Sequence, residues 1–322
     1  MIPDITSPPA VGTVVRPVTF VEAPRLGRRL GVELTIASET FQHTGSFKFR
    51  AAYHLASQVP QRLFITASSG NFGQGLARAC QMLGKNCIVV MPDTSADIKI
   101  DAVREFGGQV ELIDVTQTSR AARVSELATI HSGAYVASPY DDALVIEGNA
   151  TLGLELAASG RSFDAVLAPI GGGGLASGII QGLRAGGSQA QVHGAEPASA
   201  NDAARSLRSG RLESNETEPA TIADGVRTLS LGRLNWMILR DSLRGIVEVT
   251  EDQIKESVRL LFSLANLKVE PTGALSLAAI LASPDAFRGQ SVCCIASGGN
   301  VDQAVFRDVL AGKIQDSKSA PS

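Results

Sequence analysis

The chain is poor in the residues that mark several functional classes. Its four cysteines, Cys80, Cys87, Cys293 and Cys294, have no zinc-ligand spacing and apolar neighbours, so they read as buried free thiols. The four histidines, His43, His54, His131 and His193, show no ligand spacing either. Net charge is only −3, and the basic residues are scattered, without a basic run or interleaved aromatics. That argues against nucleic acid or an anionic membrane surface as the main partner. No apolar run approaches transmembrane length, and the N-terminus lacks a charged segment followed by an apolar one. The expected compartment is the cytoplasm. No internal repeat is visible.

Apolar content is ample: 44% of the 322 residues are hydrophobic, enough for a sizeable core in one large or two moderate domains. From residue 33 onward apolar strands alternate with helices. Strands are expected at 33–37, 63–67, 87–91, 110–113, 134–137, 165–170, 191–195, 246–249 and 292–296. Helices are expected between them, with an amphipathic one at 251–266 and others at 271–281 and 300–310. Residues 1–14 read as a wrapping or dangling segment, 205–232 as an irregular excursion, and the polar tail from 313 as disordered. Such alternation implies an α/β fold with parallel sheets covered on both faces. The run 62–142 can form a small open α/β domain, with 1–61 and 143–322 making a larger one.

The chemistry centres on Thr44-Gly45-Ser46-Phe47-Lys48-Phe49-Arg50. Ser46 reads as an N-cap and 47–56 as a helix. A lysine at a helix start between phenylalanines is partly desolvated and near the positive end of the dipole. Both effects favour the neutral amine, a nucleophile that forms Schiff bases with carbonyl compounds. Three further motifs follow strands. Gly171-Gly172-Gly173-Gly174-Leu175 opens a helix and suits a phosphate, because backbone N–H groups can approach it closely. It is neither a dinucleotide fingerprint nor a P-loop. Ser68-Ser69-Gly70-Asn71-Phe72-Gly73 offers N–H groups and hydroxyls suited to a carboxylate, or a helix cap through Ser69 or Asn71. Ser297-Gly298-Gly299-Asn300 offers a hydroxyl to a ring nitrogen, or a turn.

Together with Thr221-Ile222-Ala223-Asp224-Gly225 and Glu270-Pro271-Thr272, these motifs resemble the serine/threonine dehydratase and serine racemase group of fold-type II pyridoxal-phosphate enzymes. They come in that group's order and span residues from about 16 to 310. The resemblance implies a tryptophan synthase β-like fold of two open doubly wound α/β domains. It implies that Lys48 carries pyridoxal 5′-phosphate as a Schiff base, with Phe47 beside the ring and Asn71 on its 3′ oxygen. Gly171, Gly172, Gly173, Gly174 and Leu175 would hold the phosphate, and Ser297 would face the pyridine nitrogen. A neutral hydroxyl there makes the cofactor a weaker electron sink, which favours elimination. Ser68, Ser69, Gly70 and Asn71 would receive the substrate carboxylate. Glu196, the Ala200 carbonyl and Asp202 match the group's site for a divalent cation, and two carboxylates with a carbonyl suit Mg²⁺ or Ca²⁺.

The implied activity is that of an ammonia-lyase (dehydratase). It removes water from a serine- or threonine-like 3-hydroxy amino acid, with Lys48 taking the Cα proton. Ser69 matches the racemases' second base, so an amino-acid racemase of serine or aspartate type is the alternative. A pyridoxal-phosphate-binding protein without catalysis is the third reading. Phe72, Asn149 and Tyr140 depart from the group's usual residues, and Tyr140 stands where the racemases carry an asparagine near the substrate. A bulkier or more polar substrate such as hydroxyaspartate or an aryl serine fits those departures. A homodimer is the expected assembly.

Overall fold

The structure is a computed structural model that describes residues 14–68, 70–95 and 97–312. Among these, ten strands form two sheets: β1 (Thr19–Glu22), β2 (Glu33–Ser38), β3 (Leu63–Ala67), β4 (Asn86–Pro92), β5 (Gln109–Ile113), β6 (Tyr135–Val136), β7 (Ala165–Pro169), β8 (Gln191–Pro197), β9 (Gly245–Val249) and β10 (Ser291–Ala296). The larger sheet runs β1-β2-β10-β7-β8-β9 and the smaller β5-β4-β3-β6. All pairings of these strands are parallel except β1 with β2, an antiparallel edge that the periodicity does not reveal. Central strands such as Val292-Cys293-Cys294-Ile295-Ala296 are buried on both faces, as a doubly covered parallel sheet requires. All four cysteines are free and buried.

Local chemistry sets the element ends. Thr250 and Gln253 form a reciprocal capping box at the start of the helix Glu251–Ala265, and Asn266 closes it in the left-handed region at φ 54°. The excursion expected at 205–232 is preceded and partly taken up by the helix Asp202–Ser209, then carries only the short turn Asp224–Val226. A helix that the sequence does not announce, Arg233–Ser242, follows it and buries Trp236, Ile238 and Leu239. Its charged residues interrupt the apolar pattern.

Two apolar clusters cover the faces of the larger sheet and two smaller ones the other sheet. The helix Lys48–Gln58 lies in sequence on the larger side of the expected 61/62 boundary. Yet its Phe49, Leu55 and Ala56 pack with Phe64, Leu76 and Val89 beneath the smaller sheet. Among the described residues no helix is long and apolar enough to cross a membrane.

Arg50 pins that helix. Its side chain is wholly buried, with Nε and Nη2 donating to the two carboxylate oxygens of Glu39 at 2.8 Å each. Nη1 and Nη2 also donate to Glu155 at 2.6 and 3.1 Å, and Nη1 to Thr151 Oγ1 at 3.1 Å. The helix start is thus tied to the end of β2 and to the helix Ala143–Ala158. The carboxylates hold the guanidinium charged despite its burial. Arg50→Met would leave Glu39 buried without its cation. It should cost about 3–5 kcal/mol in urea-unfolding measurements; a loss under about 1 kcal/mol would mean the pair contributes only as a surface pair does.

Candidate active site

The site gathers at the carboxyl ends of strands from both sheets, where open α/β sheets bind ligands. After β2 the chain reaches Lys48; after β3, Ser68; after β6, Tyr140; after β7, the glycine run; after β10, Ser297.

Lys48 begins its helix, half-buried, with Nζ 5.1 Å from the Phe47 ring centroid and 5.8 Å from that of Phe72. Nζ donates to the Pro139 carbonyl at 2.7 Å. Burial lowers its pKa to about 8, against the opposing charge of Glu270. The expected cap by Ser46 is not made: Phe47 occupies the cap position without a side-chain bond, and the Ser46 hydroxyl is buried with no partner. The reason is that residues 45–47 are already fixed by main-chain pairing. Ser46 bridges Gly298, Phe47 N donates to Ser297 O at 3.0 Å, and Gly299 N donates to Gly45 O at 2.9 Å. Ser297 Oγ is likewise buried and unpartnered.

The glycine run leads from β7 into the helix Gly174–Ala185. Gly173 has φ 90°, and a Cβ there would lie 2.9 Å from Asn235 Cβ. A Cβ on Gly172 would fall 2.2 Å from the Tyr140 ring, so Tyr140 lies against the loop. Asn235 holds the two together, its Nδ2 donating to Gly172 O at 2.8 Å and Tyr140 O at 2.9 Å. Asn149 Nδ2 donates to Gly174 O at 3.1 Å. Leu175 is buried behind the loop.

Ser68 shapes the opening of the helix Asn71–Leu83, where Asn71 makes no cap. Ser68 Oγ accepts from Gly73 N at 3.0 Å and Gly70 N at 3.4 Å, while Gly70 is the cap residue. Ser69, the expected second base, lies outside the described residues. Asn71 Nδ2 donates to Glu270 Oε1 at 2.8 Å, and its Oδ1 accepts from Asn300 Nδ2 at 2.8 Å. Burial and the nearby Asp224 push the Glu270 carboxyl up to about 8. His43 bonds Val14 O and packs on Phe49 instead of joining this group.

Apart from these, Glu196 lies next to the end of β8, and Ala200 and Asp202 follow, all buried. Burial pushes Glu196 up to about 9 and Asp202 to about 6. Glu196 Oε1 accepts from Ala204 N at 2.8 Å, and Asp202 Oδ1 from Asn215 Nδ2 at 2.8 Å, while Asp202 Oδ2 is buried without a partner. Among the described residues no cluster of three or more His, Cys, Asp or Glu is assembled.

Sequence reasoning passed over Glu39, Asn235 and the interplay of Asn71, Glu270 and Asn300. Only the last carried a signal, since its residues sit in recognisable motifs.

The family model described as pyridoxal-phosphate dependent enzyme matches residues 11–298. The chain is 35% identical to the serine racemase of Dictyostelium discoideum over 286 residues, 87% of this chain and 88% of that protein. It is 34% identical to the beta-hydroxyaspartate dehydratase of Paracoccus denitrificans over 281 residues, 86% of this chain and 88% of that protein. Among solved structures, the threonine deaminase of T.th. superposes with a TM-score of 0.85 at 40% identity, covering 91% of this chain and 95% of that one.

The depressed pKa of Lys48 has a direct consequence. In the cofactor-free protein its neutral fraction should rise with a midpoint near 8, when exposed lysines titrate near about 10.4. Competitive labelling with acetic anhydride across pH, read by peptide mass, measures this; a midpoint near 10 at Lys48 would contradict the desolvated setting.

Proposed function

The chain belongs to the pyridoxal-phosphate dependent enzyme family, and on that premise we propose that it is an ammonia-lyase that removes water from a 3-hydroxy amino acid, giving a 2-oxo acid and ammonia. The residues fit the cofactor: a lysine amine of lowered pKa between two aromatic rings, a glycine cradle that a Cβ would fill, and an unpartnered buried hydroxyl at Ser297. Lys48 would hold its aldehyde carbon, Gly171 to Leu175 its phosphate, Phe47 and Asn71 its ring and 3′ oxygen, and Ser297 its ring nitrogen. When bound, the cofactor supplies the electron sink that acidifies the substrate Cα–H.

This chain's residues do the rest. The Lys48 amine, set free when the substrate amine takes its place, would take the Cα proton. Ser68, Ser69, Gly70 and Asn71 would receive the carboxylate at the start of their helix, whose positive end favours an anion. Tyr140, held against Gly172, bounds the space for the substrate side chain. The observation that carries elimination is the Ser297 hydroxyl. It can bond a ring nitrogen but cannot keep it protonated as a carboxylate would, so loss of the β-hydroxyl outpaces long-lived carbanion chemistry. The hydroxyaspartate dehydratase among the relatives supports a polar substrate.

Racemisation is the second reading. It rests on the similarity to serine racemase and on Ser69 as the base opposite Lys48. Under either reading a Mg²⁺ or Ca²⁺ ion is proposed at Glu196, Ala200 and Asp202, supported by the unpartnered Asp202 Oδ2. A homodimer rests on the resemblance alone.

A substrate panel decides between these readings. L- and D-serine, L-threonine, the 3-hydroxyaspartate isomers and phenylserine are assayed with and without Mg²⁺, following 2-oxo acid release and the enantiomer ratio of what remains. The lyase reading expects 2-oxo acid from at least one member, abolished by Lys48→Ala, and stimulation by Mg²⁺ that Asp202→Asn removes. Rapid loss of chirality with little 2-oxo acid, suppressed by Ser69→Ala, would establish the racemase instead.

A further inference from the structure

Resting on the pyridoxal reading, we propose that Asn300 and Glu270 are positioning residues that act through Asn71, fixing which way its amide faces and which of its hydrogens is left for a ligand beside Lys48. The direction follows from one main-chain carbonyl. Thr44 O can only accept, so the Asn300 atom 2.7 Å from it is the nitrogen. That same nitrogen lies 2.8 Å from Asn71, which must therefore present its oxygen. Asn71 Nδ2 then faces Glu270 Oε1 at 2.8 Å. All three contacts run in one sense, from Asn300 through Asn71 to Glu270.

An amide nitrogen carries two hydrogens. Asn300 spends both, on Thr44 and on Asn71. Asn71 spends one, on Glu270. The single unspent hydrogen of Asn71 is the donor available to the cofactor's 3′ oxygen, and turning the amide over would put an oxygen in its place.

Each end of the relay is rigid. A Cβ on Gly45 would lie 2.4 Å from Asn300 Oδ1, and Gly45 has φ 71°, so only glycine lets Asn300 reach the Thr44 carbonyl. At the other end Glu270 N donates to Gly298 O at 3.0 Å, and a Cβ on Gly298 would fall 2.6 Å from Glu270 Oε1. The carboxyl is buried. The charged groups that act on it are Asp224, Lys99 and Lys268, and it acts in turn on Lys48. In either protonation state its Oε1 can accept from Asn71 Nδ2.

The test titrates pyridoxal phosphate into cofactor-free protein and reads the Schiff-base absorption band and dissociation constant, with Lys48→Ala as the variant that should leave only the band of the free aldehyde. Asn300→Asp sets an acceptor against Asn71 Oδ1 and should turn the amide over, shifting the band and weakening binding about tenfold, one hydrogen bond's worth. Asn71→Ala should do the same, and the double variant should be no worse than Asn71→Ala alone. An unshifted band in Asn300→Asp, or additive losses in the double variant, would overturn the proposal. Should Asn300→Asp not fold, Glu270 decides. Glu270→Gln keeps an acceptor for Asn71 and should give a band nearer wild type than Glu270→Ala; identical bands from the two would overturn the proposal. A wild-type protein without a Lys48-dependent band would sink the pyridoxal reading itself, and the proposal with it.

Discussion

The structure depends on the pairing of residues 44–47 with residues 297–300, two segments about 250 positions apart in the chain. Phe47 N to Ser297 O, Gly299 N to Gly45 O and Asn300 Nδ2 to Thr44 O join the connection after β2 to the connection after β10. Those strands are parallel neighbours in the larger sheet, and beyond their ends the two connections meet again through an antiparallel bridge between Ser46 and Gly298. It fixes where the Lys48 helix begins and makes a side-chain cap there unnecessary. Both serine hydroxyls at the junction, Ser46 and Ser297, are left buried and unspent. A buried hydroxyl without a partner is costly, and its retention beside Lys48 is understandable where a ligand supplies the partner.

From the opposite side the helix is anchored by Arg50, whose two carboxylate partners come from the larger sheet and from the helix Ala143–Ala158. Lys48 is thus set between two rigid attachments. Its lowered pKa follows from the burial of the amine in this setting. Asn235 plays the corresponding part for the glycine loop, joining Gly172 to Tyr140 and so joining a larger-sheet loop to a smaller-sheet one.

What was legible in the sequence was chemistry carried by local motifs. Lys48 between phenylalanines, the glycine run after a strand and the strand–helix alternation each advertise their physics within a few residues. What was not legible depends on partners distant in the chain. Ser46 has the composition of a cap, but the main-chain pairing that displaces this role comes from residue 298. Asn71, Glu270 and Asn300 were visible as motif members, while the direction of their hydrogen bonds requires the Thr44 carbonyl in place. Glu39 and Asn235 carry no local signal at all. The helix Arg233–Ser242 escaped because its charged residues mask a short apolar face.

The central claim is that Lys48 holds the cofactor. The most direct measurement reduces the pyridoxal-phosphate-loaded protein with borohydride and maps the modified peptide by mass. The account expects one pyridoxyl group, on Lys48, in the peptide that contains residues 44–50. A group on another lysine, such as Lys85 or Lys255, or no covalent group at all, would contradict it.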